Sequence, residues 1–183
     1  MAIAPSLRVD HPARVAGGTH AVAGLRGWRV RSEDAVVLFR GRASRFLPTV
    51  QACFTSVTGS VGEDAVAVDV DVRSLTTGNR TWDELLTAAD PFDVARHPVA
   101  TYRSDGIVWV GDHAVVSGEL CLRGRTGGVQ LRASCSVQDD GVARLTAVGR
   151  VDRRLFGLRL DVPGCGALLP THLDLSIDVT AVR

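Results

Sequence analysis

The sequence contains no lysine. All 21 basic side chains in its 183 residues are arginine, and they face 20 acidic residues for a formal net charge of +1. That balance excludes the basic excess or patch that marks a nucleic-acid-binding surface. Aromatic residues are scarce at 5%, with one tyrosine and one methionine. The core must therefore be packed from valine, alanine and leucine, a composition that suits strands. No apolar run approaches the roughly 20 residues that a membrane-spanning helix requires. Residues 1–24, MAIAPSLRVDHPARVAGGTHAVAG, lack a signal-peptide core and are broken by Pro5, Pro12 and Gly17-Gly18. They are expected to form a flexible N-terminal extension to a single domain spanning 25–183, and the chain is expected to stay in the cytoplasm. Cys53, Cys121, Cys135 and Cys165 form no C-x-x-C pair and have no histidine at zinc-finger spacing. They are expected to be reduced structural thiols, and no metal site is expected.

What the sequence does have is alternation. Val66, Val68, Val70 and Val72 share one face of a period-two pattern, while Asp69, Asp71 and Arg73 take the other. This is the signature of a half-buried antiparallel strand. The same pattern recurs in Val116, Gly118, Leu120 and Leu122, in the odd-numbered residues from Val129 to Val137, in Leu145, Ala147, Gly149 and Val151, and most cleanly over 173–179. Residues 28–39 are expected to form a strand or a tight hairpin around Ser32-Glu33-Asp34, and 54–61 another strand. Gly62-Glu63-Asp64, Gly111-Asp112 and Asp140-Gly141 are turn signals, and Gly106 marks either a turn or a bulge in one long bent strand. Seven or eight one-sided strands at short spacing point to a sandwich or a closed antiparallel barrel, and closure removes exposed edges.

One helix interrupts the strands. Gly78-Asn79 carries turn chemistry, and Thr81-Trp82-Asp83-Glu84 fits a capping box ahead of Leu85, Leu86 and Ala89. The spacing predicts a helix of at most about three turns that starts near Trp82 and stops at Pro91.

Three ordered motifs carry a family resemblance. Ser74-Leu75-Thr76-Thr77-Gly78-Asn79, Leu85-Leu86, Ala88-Ala89-Asp90-Pro91-Phe92-Asp93-Val94, His97-Pro98 and Thr101-Tyr102-Arg103-Ser104 resemble the YceI-like signature S-L-x-T-G-N, short helix, A-D-F-F-D-V, Tyr-Pro or His-Pro, T-F-x-S. Residues 116–124, VSGELCLRG, resemble its V-x-G-x-L-x-L-R-G segment, and 151–158, VDRRLFGL, its I-x-R-x-D-F-G-L segment. The resemblance runs from about Trp28 to the C-terminus. Two segments depart from it. Within 40–54, Gln51-Ala52-Cys53-Phe54 stands at the family's R-G-R-F step, and 159–170 is shorter and more apolar than the family loop.

The resemblance implies an all-β fold with one short helix, an extended antiparallel lipocalin-like barrel of about eight strands. It also implies that a long apolar chain, a polyisoprenoid, isoprenoid quinone or fatty-acyl lipid, is held in the lumen, with no other cofactor. A carrier, storage or stress-related role follows, and a homodimer is raised by family analogy alone. The lumen candidates are Phe54, Leu86, Phe92, Tyr102, Trp109, Leu120, Leu131, Phe156 and Ile177, with Gly118, Ala133, Ala147 and Gly149 as the small residues that leave axial room.

Two other readings stand beside this one. An apolar inward face serves stability in any barrel, so a filled, oligomeric structural or stress protein is one alternative, with 159–170 closing the mouth or forming a subunit contact. Catalysis on an isoprenoid-like substrate is the other. Asp69 with Asp71 and Asp83 with Glu84 are carboxylate pairs, but the first lies on a polar strand face and the second opens a helix. His11, His20, His97, His113 and His172 have no partner at a recognised catalytic spacing, and neither G-x-S-x-G nor H-E-x-x-H occurs.

Overall fold

In the computed structural model, which describes residues 27–42, 49–138, 141–159 and 170–183, the alternating segments become ten strands and one α-helix. The strands are β1 Trp28–Gly41, β2 Val50–Phe54, β3 Val57–Val61, β4 Val66–Asp71, β5 Leu75–Thr76, β6 Val99–Val110, β7 His113–Leu122, β8 Arg125–Gln138, β9 Val142–Asp152 and β10 His172–Val182. Helix α1, Arg80–Ala89, lies in the β5–β6 connection. Each described strand pairs antiparallel with its neighbours in the order β10-β9-β8-β7-β6-β4-β3-β1, and β1 pairs back onto β10. Eight strands thus close an up-and-down barrel, the arrangement expected from the resemblance. Strand β2 continues the line of β3 along β1, and β5 pairs with β2.

The turn residues set the barrel's two ends. The β3–β4, β6–β7 and β8–β9 hairpins lie at one, called here the hairpin end. The β7–β8 hairpin, α1 and the described parts of the β9–β10 connection, 153–159 and 170–171, lie at the other, the helix end. In the β7–β8 turn both central residues, Arg123 (φ 54) and Gly124 (φ 67), are left-handed, as a two-residue hairpin of right-twisted strands requires. Left-handed geometry strains a non-glycine residue. The Arg123 guanidinium offsets this by donating to the Gly157 carbonyl at 2.5 Å.

Residues 28–39 form one strand, the first of the two expected forms; the Ser32-Glu33-Asp34 stretch is absorbed as a register shift between Arg31 and Val36 against β10. Two local expectations are corrected. The strand expected over 54–61 breaks at Thr55-Ser56, where both main-chain N–H groups donate to the Ser74 hydroxyl at 3.1 and 3.0 Å. The helix begins two residues before Trp82, because Asn79 takes the N-cap and its side chain accepts from Thr81 N and Trp82 N. Glu84 does not complete a capping box; it pairs with Arg80 at 2.8 Å. The end is as expected, with Asp90 capping in the left-handed region just before Pro91. Gly106 marks a bulge inside β6, the second of its two expected roles.

The 1–24 extension, Cys165, the Asp140 half of its turn and most of the 159–170 segment lie outside the described residues, as do 43–48 within the 40–54 segment.

Candidate functional site

The inward side chains of the strands enclose a lumen with a cavity volume of ≈ 140 Å³. Its wall is built chiefly from branched aliphatics: Val37, Val57, Val68, Val70, Val116, Val129, Leu145 and Val179 among them. These are the inward halves of the alternating patterns, so the period-two spacing is what creates the lumen. Toward the hairpin end the wall continues through Val30, Val61 and Val66. At the helix end Phe39 and Phe54 meet edge to face at 5.6 Å, Phe54 and Phe92 at 5.7 Å, and Phe156 is fully buried.

Among the nine candidates, Phe54, Tyr102, Leu120, Leu131 and Ile177 line the cavity. The other four lie elsewhere. Phe92 packs on Phe54 at the helix end, and the Phe156 ring fits against Gly127, where a Cβ would sit 3.0 Å from its Cζ. Leu86 is half-buried on α1. Trp109 has the inward register, opposite Ala114, but lies near the tip of β6 and is 36% exposed. The residues that sequence reasoning passed over are the valines. Their alternation is visible in the sequence.

Of the four small residues, Ala133 and Ala147 line the cavity. The two glycines do not leave axial room, contrary to expectation. A Cβ on Gly118 would lie 2.8 Å from the Tyr102 hydroxyl, and one on Gly149 would lie 2.7 Å from Leu131 Cδ2. Each glycine is covered by a larger neighbour laid along the wall.

Tyr102 brings a phenol into this wall. Its hydroxyl donates to the carbonyls of Val116 and Val129, both at 3.3 Å. Burial, with a smaller contribution from Asp105, pushes its pKa up to about 12, so the group stays a neutral, internally paired donor at ordinary pH. Burial and, secondarily, the Asp83 charge also push up the Cys53 thiol, and burial alone does so for Cys135. Neither thiol is activated as a nucleophile. With Cys121 they are free cysteines.

The polar residues of the first motif have structural partners. The Asp83 carboxylate accepts from the Thr76 hydroxyl at 2.8 Å and from the Thr77 main chain and hydroxyl at 2.7 and 2.6 Å. Desolvation works to raise its pKa, but the Thr77 and Thr76 bonds outweigh it and hold the group below the ordinary value. Ser74 accepts from Thr55 and Ser56 and donates to Asp71 at 2.6 Å. Asp69 pairs with Arg103 at 2.6 Å. The His97 ring packs where a Gly124 side chain would be. His113 lies beside Asp112 and Arg132, and His172 beside Asp152, whose carboxyl the Arg154 bonds hold down at about 2.

A larger concavity of ≈ 620 Å³ lies against α1 between Thr76 and Ala88. It is open to solvent, and its Asp83 and Glu84 are already engaged by Thr76, Thr77 and Arg80. Its apolar wall, and not volume, singles out the lumen.

The comparisons with known proteins agree with this architecture. Residues 28–181 match the YceI-like domain. Protein YceI of Escherichia coli is 28% identical over 135 residues, which cover 71% of this chain and 69% of the relative. The crystal structure of BcnA from Burkholderia cenocepacia superposes with a TM-score of 0.71 at 17% identity, covering 84% of this chain and 99% of that one. A polyisoprenoid binding domain from Saccharophagus degradans, implicated in plant cell wall breakdown, superposes with a TM-score of 0.67 at 13% identity, covering 85% and 98%. With its barrel, its crossover motif and this match along nearly the whole described length, the chain belongs to the YceI-like family.

Proposed function

We propose that the protein binds the hydrocarbon tail of a lipid inside the barrel, as a carrier or store and not as an enzyme. The observation that carries this is the lumen: a cavity walled, apart from Thr146, by valine, leucine, isoleucine, alanine and phenylalanine, with its one phenol already hydrogen-bonded to main chain. Such a wall offers a ligand nothing but dispersion and desolvation, so the enclosed part of the cargo is pure hydrocarbon and any polar head stays outside. Polyisoprenoid, isoprenoid quinone and fatty-acyl tails all satisfy this. Membership of the family, together with the likeness to the polyisoprenoid binding domain of Saccharophagus degradans, favours the isoprenoids among them.

Magnitudes set the scale. A water-sized sphere needs about 10–15 Å³ of such volume, so ≈ 140 Å³ takes roughly ten carbon-sized groups. At about 0.8 kcal/mol per buried methylene that is about 8 kcal/mol gross, against at least about 4 kcal/mol lost in association. A tail confined to this volume binds weakly, and each further methylene buried strengthens binding about fourfold. Phe54, Tyr102, Leu120, Leu131 and Ile177 are proposed tail contacts, together with Ala133, Ala147 and the valine wall.

The cytoplasm remains our proposed setting, in keeping with three free thiols; no described helix is long and apolar enough to cross a membrane. The test is mass spectrometry of an organic extract of protein purified without detergent. A stoichiometric polyisoprenoid, quinone or fatty acid is the expected result. An empty extract, with no thermal shift on adding such lipids, would leave a packed structural barrel as the better account.

A further inference from the structure

Two arginines converge on one glycine at the helix end of the barrel. Arg123 stands in the β7–β8 turn, and its guanidinium donates from Nη1 to the Gly157 carbonyl at 2.5 Å. Arg125 opens β8, and its guanidinium lies against the same glycine on the side where a side chain would project. A Cβ there would stand 3.0 Å from Arg125 Cζ, 3.1 Å from Nη1 and 3.2 Å from Nε. Gly157, left-handed at φ 62, admits both groups because it has no side chain.

Like charges gathered this closely oppose one another, and no carboxylate among the described residues meets either. Arg123 has the one carbonyl, which leaves its Nε and Nη2 without a partner, and Arg125 makes no hydrogen bond or ion pair within the described residues. The acids of the adjoining loops are committed elsewhere: Asp152 to Arg154, Asp93 to Arg96 and Asp90 to the Val94 main chain. Leu155, 53% exposed and beside Gly127, stands where the segment I-x-R-x-D-F-G-L has its aspartate, so this position brings no carboxylate either.

We propose that Arg123 and Arg125 together bind a phosphate or diphosphate group. A guanidinium presents N–H groups in a fork that fits the oxygens of such an anion two at a time, and two forks around one group match its double charge. A carboxylate, with one charge and two oxygens, fills a single fork. Position ties the site to the lumen. Leu122 lines the cavity and Arg123 follows it, while buried Phe156 precedes Gly157. The anion reaches the site from one of two sources. It is either the head of an isoprenyl phosphate whose tail lies in the barrel, which rests on the lumen binding proposed above, or a free phosphate.

Calorimetric titration of the full chain with inorganic diphosphate, farnesyl diphosphate and farnesol separates these. Farnesyl diphosphate is expected to bind about tenfold more tightly than farnesol, by a ratio that shrinks as salt is raised. Arg125→Gln, which has no hydrogen bond to lose, is expected to fold as the unmodified chain by circular dichroism and to bring that ratio close to unity. Arg125→Lys, which keeps the charge and loses the fork, falls between. Binding of inorganic diphosphate that Arg125→Gln abolishes, with no binding of farnesol and no gain from the farnesyl tail, supports a free-phosphate site and removes the lumen reading. Equal binding of farnesol and farnesyl diphosphate, with none of inorganic diphosphate, overturns the anion site and leaves the lumen reading standing. A preference for the diphosphate that survives Arg125→Gln overturns the site as well, as does failure of both diphosphates to bind.

Discussion

At the helix end of the barrel, phenylalanine rings meet edge to face and arginines tie the loops to one another. Arg123 donates to Gly157, and Arg153 to Pro170 and Leu158 at 2.9 and 2.7 Å. At the hairpin end the lumen wall is carried by Val30, Val61 and Val66, and the β6 tip leaves Val108 and Val110 largely exposed. The same eight strands therefore carry one end packed by phenylalanine rings and tied by main-chain bonds, and another where Trp28 is buried against Ala143 and Ala181 beside the valine wall and the exposed β6 tip. The contrast assigns the family motifs. Ser74, Thr76, Thr77, Asn79 and Asp83 knot the crossover that carries Phe92, while Arg123, Gly124 and Arg153 hold the loops around Phe156. These residues build the helix end of the barrel.

The sharpest way to break this contrast is Phe156→Ala. The ring is 0% exposed, so its loss is expected to cost about 3–5 kcal/mol, seen as a lower urea midpoint at an unchanged slope. A loss under about 1 kcal/mol would mean that the plug is dispensable. Next is Gly118→Ala, where the added Cβ meets the Arg103 carbonyl and the Tyr102 hydroxyl. It is expected to destabilise by about 1–3 kcal/mol and, by displacing the tyrosine ring from the wall, to weaken lipid uptake.

Asp83→Asn removes an ionised acceptor from the crossover knot and is expected to cost about 1 kcal/mol. The accompanying pH dependence has a definite sign. The folded pKa of Asp83 is below the ordinary value of 3.8, so its contribution is present above that value and is lost as the pH falls below it. The difference in stability between Asp83→Asn and the unmodified chain should therefore shrink on acidification. At the other end Val108→Ala, at a 62% exposed site, is expected to change stability by no more than about 0.5 kcal/mol. An effect as large as that of Phe156→Ala would erase the contrast.

The barrel was legible because alternation and turn residues are local. Val66 through Val72 and Leu173 through Val179 declare their inward faces two residues at a time, and Gly111-Asp112 declares its hairpin. Position along the axis is not local: it depends on strand stagger, which is set by pairings such as Trp109 with Ala114 and Phe54 with Val37. Trp109 therefore has the inward register but lies near the exposed tip of β6, and Phe92 and Phe156 pack at the helix end. The helix starts earlier than its spacing predicts for a related reason. Thr81 and Asn79 both offer capping chemistry, and Asn79 is selected by the fold around it, in which Asp83 is already bound to Thr76 and Thr77.

The most direct test is lipid uptake by Ala147→Trp beside the unmodified chain, with circular dichroism and thermal unfolding to establish that both are folded. Ala147 lines the middle of the lumen, opposite Ala133 and Ile177 on the neighbouring strands, so an indole there fills the space that a tail would occupy. The expected result is a folded protein that no longer takes up polyisoprenoid, quinone or fatty-acyl chains. Undiminished uptake by the folded variant would contradict lumen binding.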